Sequence, residues 1–278
     1  MSLCVEITNL NFSYDNSNYL FKDFNLTLLQ NKCYVLSGLN GCGKSTLIKL
    51  VAGKMLASYD TIKVFKKDPF RDTSVSKDIA YVNNNWGTKT VAYTGYNMPI
   101  QSSIKVKEMM VKLKLTYPKR NRELISVLDI NEEWSLNLIS EGQRKRVQLY
   151  LALIQPFKIC LLDEITVNLD IIVKDRLLCY LKKESIENNA CVVYITHIFD
   201  GLENWCTDLI YLKNNPVVCE MISMNDILNK DIYLFILKKC KSDEKNIKKR
   251  DESNILIKKN AGGYTNGVLI DFNYDTLN

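Results

Sequence analysis

Between an apolar run and an amphipathic one, the segment KCYVLSGLNGCGKSTLIKLVAG (32–53) carries a glycine-rich loop. KCYVLSG has the length and texture of a strand. Lys44 to Ala52 has helical texture, and Gly53 stands where a helix C-terminal stop belongs. A strand that runs through a glycine-rich loop straight into a helix is the context a phosphate-binding loop requires, and the alternation of strands and helices that follows points to an α/β sheet. The loop fits G-x-x-x-x-G-K-[ST] with Gly38, Gly43, Lys44 and Ser45. Each type has a chemical reason. Glycines let backbone N–H groups face a β-phosphate, a lysine bridges β- and γ-phosphates, and a serine hydroxyl holds Mg²⁺. Asn40, Gly41, Cys42 and Thr46 complete the candidate phosphate-binding stretch.

The rest of the chain agrees with that start. Val5, Ile7, Leu10, Phe12 and Tyr14 form a patterned opening, and Phe24, Leu26 and Leu28 alternate cleanly, which predicts an N-terminal β-region. DTIKVF and DIAYVN read as further strands. From Asn84 to Ile139 the texture turns to a polar loop followed by helical runs at Ile104–Lys114 and Arg120–Ile130. KICLLDE and ACVVYITH have the unbroken apolar character of strands buried on both faces, with a helix around Val173, Leu177, Leu178 and Leu181 between them. Helices are expected on both faces of the sheet. The charge run KSDEKNIKKRDE (Lys241 to Glu252) reads as a solvated linker before an aromatic tail.

Composition removes other classes. No apolar stretch of the 278 residues approaches the roughly 18 that a membrane helix needs, so direct membrane insertion is not expected. The start MSLCVEITNL lacks the features of a signal peptide, and a soluble intracellular protein is expected. Nine cysteines are scattered without a C-x-x-C pair, the pattern of buried thiols in a reducing compartment. The net charge of +6 is spread along the chain, so nucleic-acid binding is not expected.

Three further segments carry chemistry. ICLLDE ends a strand with Asp163 and Glu164; beside a phosphate loop, the first carboxylate can hold Mg²⁺ through water and the second can polarise an attacking water. His197, the protein's single histidine, follows VVYIT at another strand end, where an imidazole can reach a γ-phosphate. In LISEGQRKR, Ser140 and Gln143 stand three apart before a stripe of Val147, Tyr150, Leu151 and Ile154, the mark of a helix start closed by a capping box. Glu141 suits the positive end of that helix, and its expected partners are Arg144 and Lys145.

Taken in order, the phosphate loop, ISEGQ, CLLDE, NLD and His197 resemble the ATP-binding cassette (ABC) ATPase domain over roughly residues 3–223. The resemblance implies a P-loop NTPase core of RecA-like type, an N-terminal antiparallel β-subdomain and an inserted helical subdomain at about 85–150. Residues 224–278 are left as a C-terminal helix, charged linker and tail. It implies ATP and Mg²⁺ as ligands, with Glu164 and His197 catalytic and Ser45 and Asp163 at the metal. Chains pair head to tail, so Ser140, Gly142, Gln143 and Asp170 would act across a homodimer, with Asn168–Asp170 as the D-loop. Tyr14 corresponds to the aromatic that stacks on adenine, though it reads equally as an edge-strand aromatic. The family's glutamine at the end of a strand like DIAYVNN is missing. Asn83, Asn84 and Asn85 stand there, and Gln101 is the nearby alternative metal contact.

NNNWG, SEGQRKRVQL, PFKICLLDEITVNLD and YITHIFDGLENW are similar to a small eukaryotic group of soluble single-cassette ABC proteins, with a yeast member tied to the transcription and mRNA-deadenylation machinery and with non-intrinsic plant members. That group implies a cytoplasmic or nuclear ATPase that regulates a protein assembly, whose other components the sequence does not name. Two alternatives stand beside it. One is the nucleotide-binding subunit of a membrane transporter with a separate membrane chain, against which the altered glutamine position argues. The other is an ATP-sensing scaffold with little turnover, against which Glu164 and His197 argue.

Overall fold

The computed structural model describes residues 2–14, 19–83, 104–165, 169–213, 217–227 and 231–244, together with the backbone of two short strands at 90–91 and 97–98. The chain opens with β1 (Leu3–Phe12) and β2 (Phe21–Leu29), paired antiparallel. The spacing Val5, Ile7, Leu10 breaks strict alternation, and the structure gives the reason. Asn9 and Asp23 take positive φ, and the register shifts between Ile7 and Leu10, so one bulge returns Leu10 to the buried face. The side chains of Asn25 and Asn11 accept hydrogen bonds from the N–H groups of Asn9 and Asp23, so the bulge leaves these donors satisfied. Strand β4 (Ile62–Val64) joins the far edge of β1 and completes a three-stranded antiparallel sheet.

A second sheet holds six strands in the order β11-β10-β3-β9-β8-β5. They are β3 (Lys32–Gly38), β5 (Ile79–Val82), β8 (Ile159–Asp163), β9 (Cys191–Ile195), β10 (Asp208–Lys213) and β11 (Val218–Ser223). Neighbours are parallel except the β10–β11 pair. Every residue of β8 and β9 is buried, which requires cover on both faces and accounts for their unbroken apolar sequence. The strand ends that carry Gly38, Asn83, Asp163 and Ile195 therefore lie along one edge of the sheet, where open α/β sheets bind ligands. Backbone pairing also joins β6 (Thr90–Val91) to β7 (Asn97–Met98).

Helix α1 (Lys44–Val51) follows β3 directly, and α5 (Ile171–Glu187) links β8 to β9. Between β5 and β8 lie α2 (Val106–Thr116), α3 (Pro118–Leu128) and α4 (Glu141–Leu153). Arg120 of α3 fastens this helical segment to its surroundings. Its guanidinium donates to the Leu153 carbonyl and pairs with buried Glu184 of α5 at 2.7 Å, while lying over the Phe157 and Tyr180 rings. The buried face of α4 is wider than the stripe in its sequence. Lys145, Gln148, Leu149 and Leu153 are buried along with Val147 and Tyr150, while Leu151 is only partly covered.

One compact unit spans Met1–Tyr233 and a second Leu234–Asn278. A helix over 232–244 runs four residues into the charge run that the sequence suggests is a linker. The remainder of the expected linker and the tail lie outside the described residues, as does the expected start of the helical subdomain at 85. Among the described residues, no helix is long and apolar enough to cross a membrane.

The end of α1 supplies a stability test. Gly53 has φ +64°, and a Cβ placed there would sit 2.1 Å from the Pro69 carbonyl oxygen. Gly53→Ala is expected to cost about 2–4 kcal/mol through the left-handed backbone and forced displacement of the Pro69 turn. Urea denaturation reads this as a lower midpoint, and an unchanged midpoint would mean that the turn moves aside freely.

Candidate active site

The loop after β3 is shaped by its glycines. A Cβ at Gly38 would meet the Leu212 carbonyl oxygen at 2.5 Å, and one at Gly43 would meet the Phe21 ring at 2.8 Å. Gly41, with φ +81°, has nothing within 4 Å of its Cβ position, so its backbone faces open space. Gly43 is the N-cap of α1; no side chain caps this helix, and no acidic residue lies in its first turn. The orphan N–H groups and positive dipole end are thus left to an anion. The starts of α2 and α3 also lack a side-chain cap, whereas those of α4 and α5 are capped. Ser140 caps α4 in a reciprocal capping box with Gln143, and Asp170 caps α5 by accepting from the Val173 N–H.

Around the loop, the predicted residues form a connected line. Lys44 is buried and its ammonium donates to the carbonyls of Gly38 and Leu39 at 2.9 and 3.0 Å. Ser45 donates to the Asp163 carboxylate at 3.1 Å. Burial pushes the Asp163 carboxyl above its ordinary range and the Glu164 charge adds to this, while the Ser45 hydrogen bond, Lys49 and Lys44 oppose it. Glu164 and His197 meet at 3.2 Å, Oε1 to Nε2, each side chain about half exposed. At that exposure the pair contributes little stability. Glu164 also takes φ +51°, an uncommon backbone for a non-glycine residue, and its N–H donates to the Ile195 carbonyl. Tyr14 lies in the bend beyond β1 rather than in the strand, 67% exposed. Its hydroxyl is 2.7 Å from the Thr46 hydroxyl in the first turn of α1, which places the ring beside the loop.

Other predicted residues sit apart or outside. Asn40, Gly41 and Cys42 lie in the loop, Cys42 buried and Asn40 and Gly41 exposed. Ser140, Gly142 and Gln143 occupy the exposed to half-buried start of α4, with Ser140 and Gln143 bonded to each other. Gln101 and Asn168 lie outside the described residues. Both residues expected to partner Glu141 hold other contacts. Lys145 points its ammonium inward to the Asn83 carbonyl, and Arg144 donates to the Leu136 carbonyl. The reason is helical geometry, since position 145 falls on the buried face of α4. Arg146, which the sequence reading passed over, pairs with Asp129 at 2.9 Å and with Asp170, so α4 is joined to the caps of α3 and α5.

The sequence profile of the family described as ABC transporter matches residues 21–167. The chain belongs to the ABC transporter family. ABC transporter I family member 20 of Arabidopsis thaliana is 40% identical over 223 residues, covering 77% of this chain and 68% of the relative. CCR4-associated factor 16 of Saccharomyces cerevisiae is 35% identical over 231 residues, covering 80% of each. Among solved structures, the dimeric post-hydrolysis state of an ATP-binding cassette bound to ADP and Pi matches with a TM-score of 0.64 and 20% identity, covering 79% of this chain and 98% of that one. That likeness establishes the fold: an ABC cassette with a P-loop NTPase core, an antiparallel β-subdomain and a helical insertion.

Proposed function

We propose that this chain is an ATPase that binds Mg-ATP at the loop Gly38–Thr46 and hydrolyses it in a head-to-tail homodimer. The observation that carries this reading is the contact between Glu164 and His197, at the edge where Lys44, Ser45 and Asp163 also converge. The uncapped start of α1 and the open backbone at Gly41 fit the phosphates of ATP. Lys44 leaves its two loop carbonyls for the β- and γ-phosphates. The Ser45 hydroxyl and Asp163 carboxylate are hard oxygen donors of the kind Mg²⁺ takes, and the bound ion neutralises phosphate charge. Glu164 orients the attacking water and accepts its proton, while His197 steadies Glu164 and donates to the transferring phosphoryl group. Tyr14 stacks on the base. The partner's Ser140 and Gly142 equivalents, with Asp170 nearby, close over the γ-phosphate.

For cellular role, the reading is an ATPase that regulates a protein assembly in the cytoplasm or nucleus. Support comes from the yeast relative, whose name describes it as a CCR4-associated factor. The runner-up is the nucleotide-binding subunit of a transporter, supported by spermidine/putrescine import ATP-binding proteins that are 26% identical. Affinity purification under native conditions, followed by mass spectrometry, separates them. Recovery of components of a transcription or mRNA-processing assembly is expected, and stoichiometric recovery of an integral membrane chain would replace this role with the transporter reading.

A further inference from the structure

Lys145 is 6% exposed, a rare position for a lysine. Its ammonium donates to the Asn83 carbonyl at 2.7 Å and to Gln148 Oε1 at 3.0 Å, and Gln148 Nε2 donates to the same carbonyl at 2.9 Å. Two side chains of α4 thus converge on one backbone oxygen. That oxygen belongs to the residue after β5, which stands last in the order of the six-stranded sheet. On its inner side, Val82 pairs with Leu162, the residue before Asp163. The anchored carbonyl is therefore one residue beyond the register pair that leads into Asp163 and Glu164. In the other direction, Lys145 stands five residues after Ser140, little more than one turn from the capping box.

Burial pushes the Lys145 ammonium down to about 8, with the Asp163 charge opposing. An aliphatic side chain would fill the same space without that desolvation cost. The cost is retained where three polar groups fix a single strand end.

We propose that Lys145 is a positioning residue that couples a chain's own ATP pocket to its signature segment by fastening the start of α4 to the Asn83 carbonyl. This rests on the reading of the protein as an ATP-driven homodimer, in which the start of α4 serves the partner's pocket. A shift of the β5 and β8 ends on ATP binding is then carried into Ser140 and Gly142 of the same chain. Occupancy of one pocket thereby improves the fit of the other, which is a coupling between two sites through a contiguous hydrogen-bonded element.

Lys145→Met keeps the side chain's length and removes its donors. Expected results are single-chain ATP affinity within about twofold of wild type by equilibrium dialysis at dilute protein, and a Hill coefficient for hydrolysis that falls to about 1. In a Glu164→Gln background, the ATP-dependent dimer should dissociate about tenfold more readily in sedimentation, with Lys145→Arg restoring much of the loss. A merely structural residue would lower the melting temperature without separating dimerisation from ATP affinity. If Lys145→Met does not fold, Gln148→Leu removes the second donor to Asn83 and should weaken the dimer about threefold. A folded Lys145→Met, or failing that Gln148→Leu, with unchanged dimerisation and Hill coefficient overturns the proposal. Should the Glu164→Gln parent itself stay monomeric in Mg-ATP, the dimer reading falls first and this coupling with it.

Discussion

Lys44→Ala is expected to lower ATP affinity by about a hundredfold to a thousandfold while leaving the fold in place. The ammonium of Lys44 is buried at the foot of the loop and held by two carbonyls of that loop, Gly38 and Leu39. It therefore lies at the loop before any nucleotide arrives and exchanges these carbonyls for phosphate oxygens on binding. Two charge-assisted hydrogen bonds to phosphate are lost, each contributing about 1.5–3 kcal/mol, partly offset by the two carbonyl bonds that Lys44 gives up on binding, which leaves about 3–4 kcal/mol. The same deletion leaves the Gly38 and Leu39 carbonyls without their lysine donor, which costs the fold about 1–3 kcal/mol. Isothermal titration with Mg-ATP measures the first effect and thermal melting the second. ATP binding of wild-type strength in a folded Lys44→Ala protein would remove the loop from the site.

Much of this arrangement was legible in the sequence because several signals agreed. The glycines of the loop, the apolar runs of β3, β8 and β9, and the acidic pair after β8 each reflect a local constraint, namely backbone freedom, burial on two faces, and a strand end open to solvent. The capping box of α4 was readable for the same reason, since Ser140 and Gln143 bond within one turn. What escaped was tertiary. Lys145 looked like a surface partner for Glu141 because helical spacing allows that pair, yet the buried face of α4 extends to include it. Arg146 reaches Asp129 and Asp170, which are 17 and 24 residues away, and no periodicity signals such a bond. The meeting of Glu164 with His197 depends on β8 and β9 being neighbours, which chain order alone does not state.

Glu164→Gln is expected to reduce ATP turnover by about a hundredfold to ten-thousandfold with ATP affinity nearly unchanged. Glutamine has the same shape and keeps one oxygen, so a contact with His197 persists, but it cannot accept the proton of the attacking water. The half-exposed side chain carries little of the fold's stability, and the Glu164 N–H bond to the Ile195 carbonyl is untouched by the substitution. Phosphate release under single-turnover conditions isolates the chemical step from binding and product release. His197→Ala should show a milder form of the same defect, because the base remains while its orienting partner is lost. A Glu164→Gln protein that released phosphate at the wild-type rate would assign the base elsewhere.

The most direct measurement of an ATP-closed homodimer is the mass of Glu164→Gln by size-exclusion chromatography with light scattering, with and without Mg-ATP. In the proposed dimer, blocked hydrolysis would let ATP accumulate between two chains, each presenting Ser140 and Gly142 to the other's loop. The account predicts a species of about twice the chain mass of 32.1 kDa in Mg-ATP and the single-chain mass without nucleotide. A folded protein that binds Mg-ATP and still elutes at the single-chain mass would contradict it.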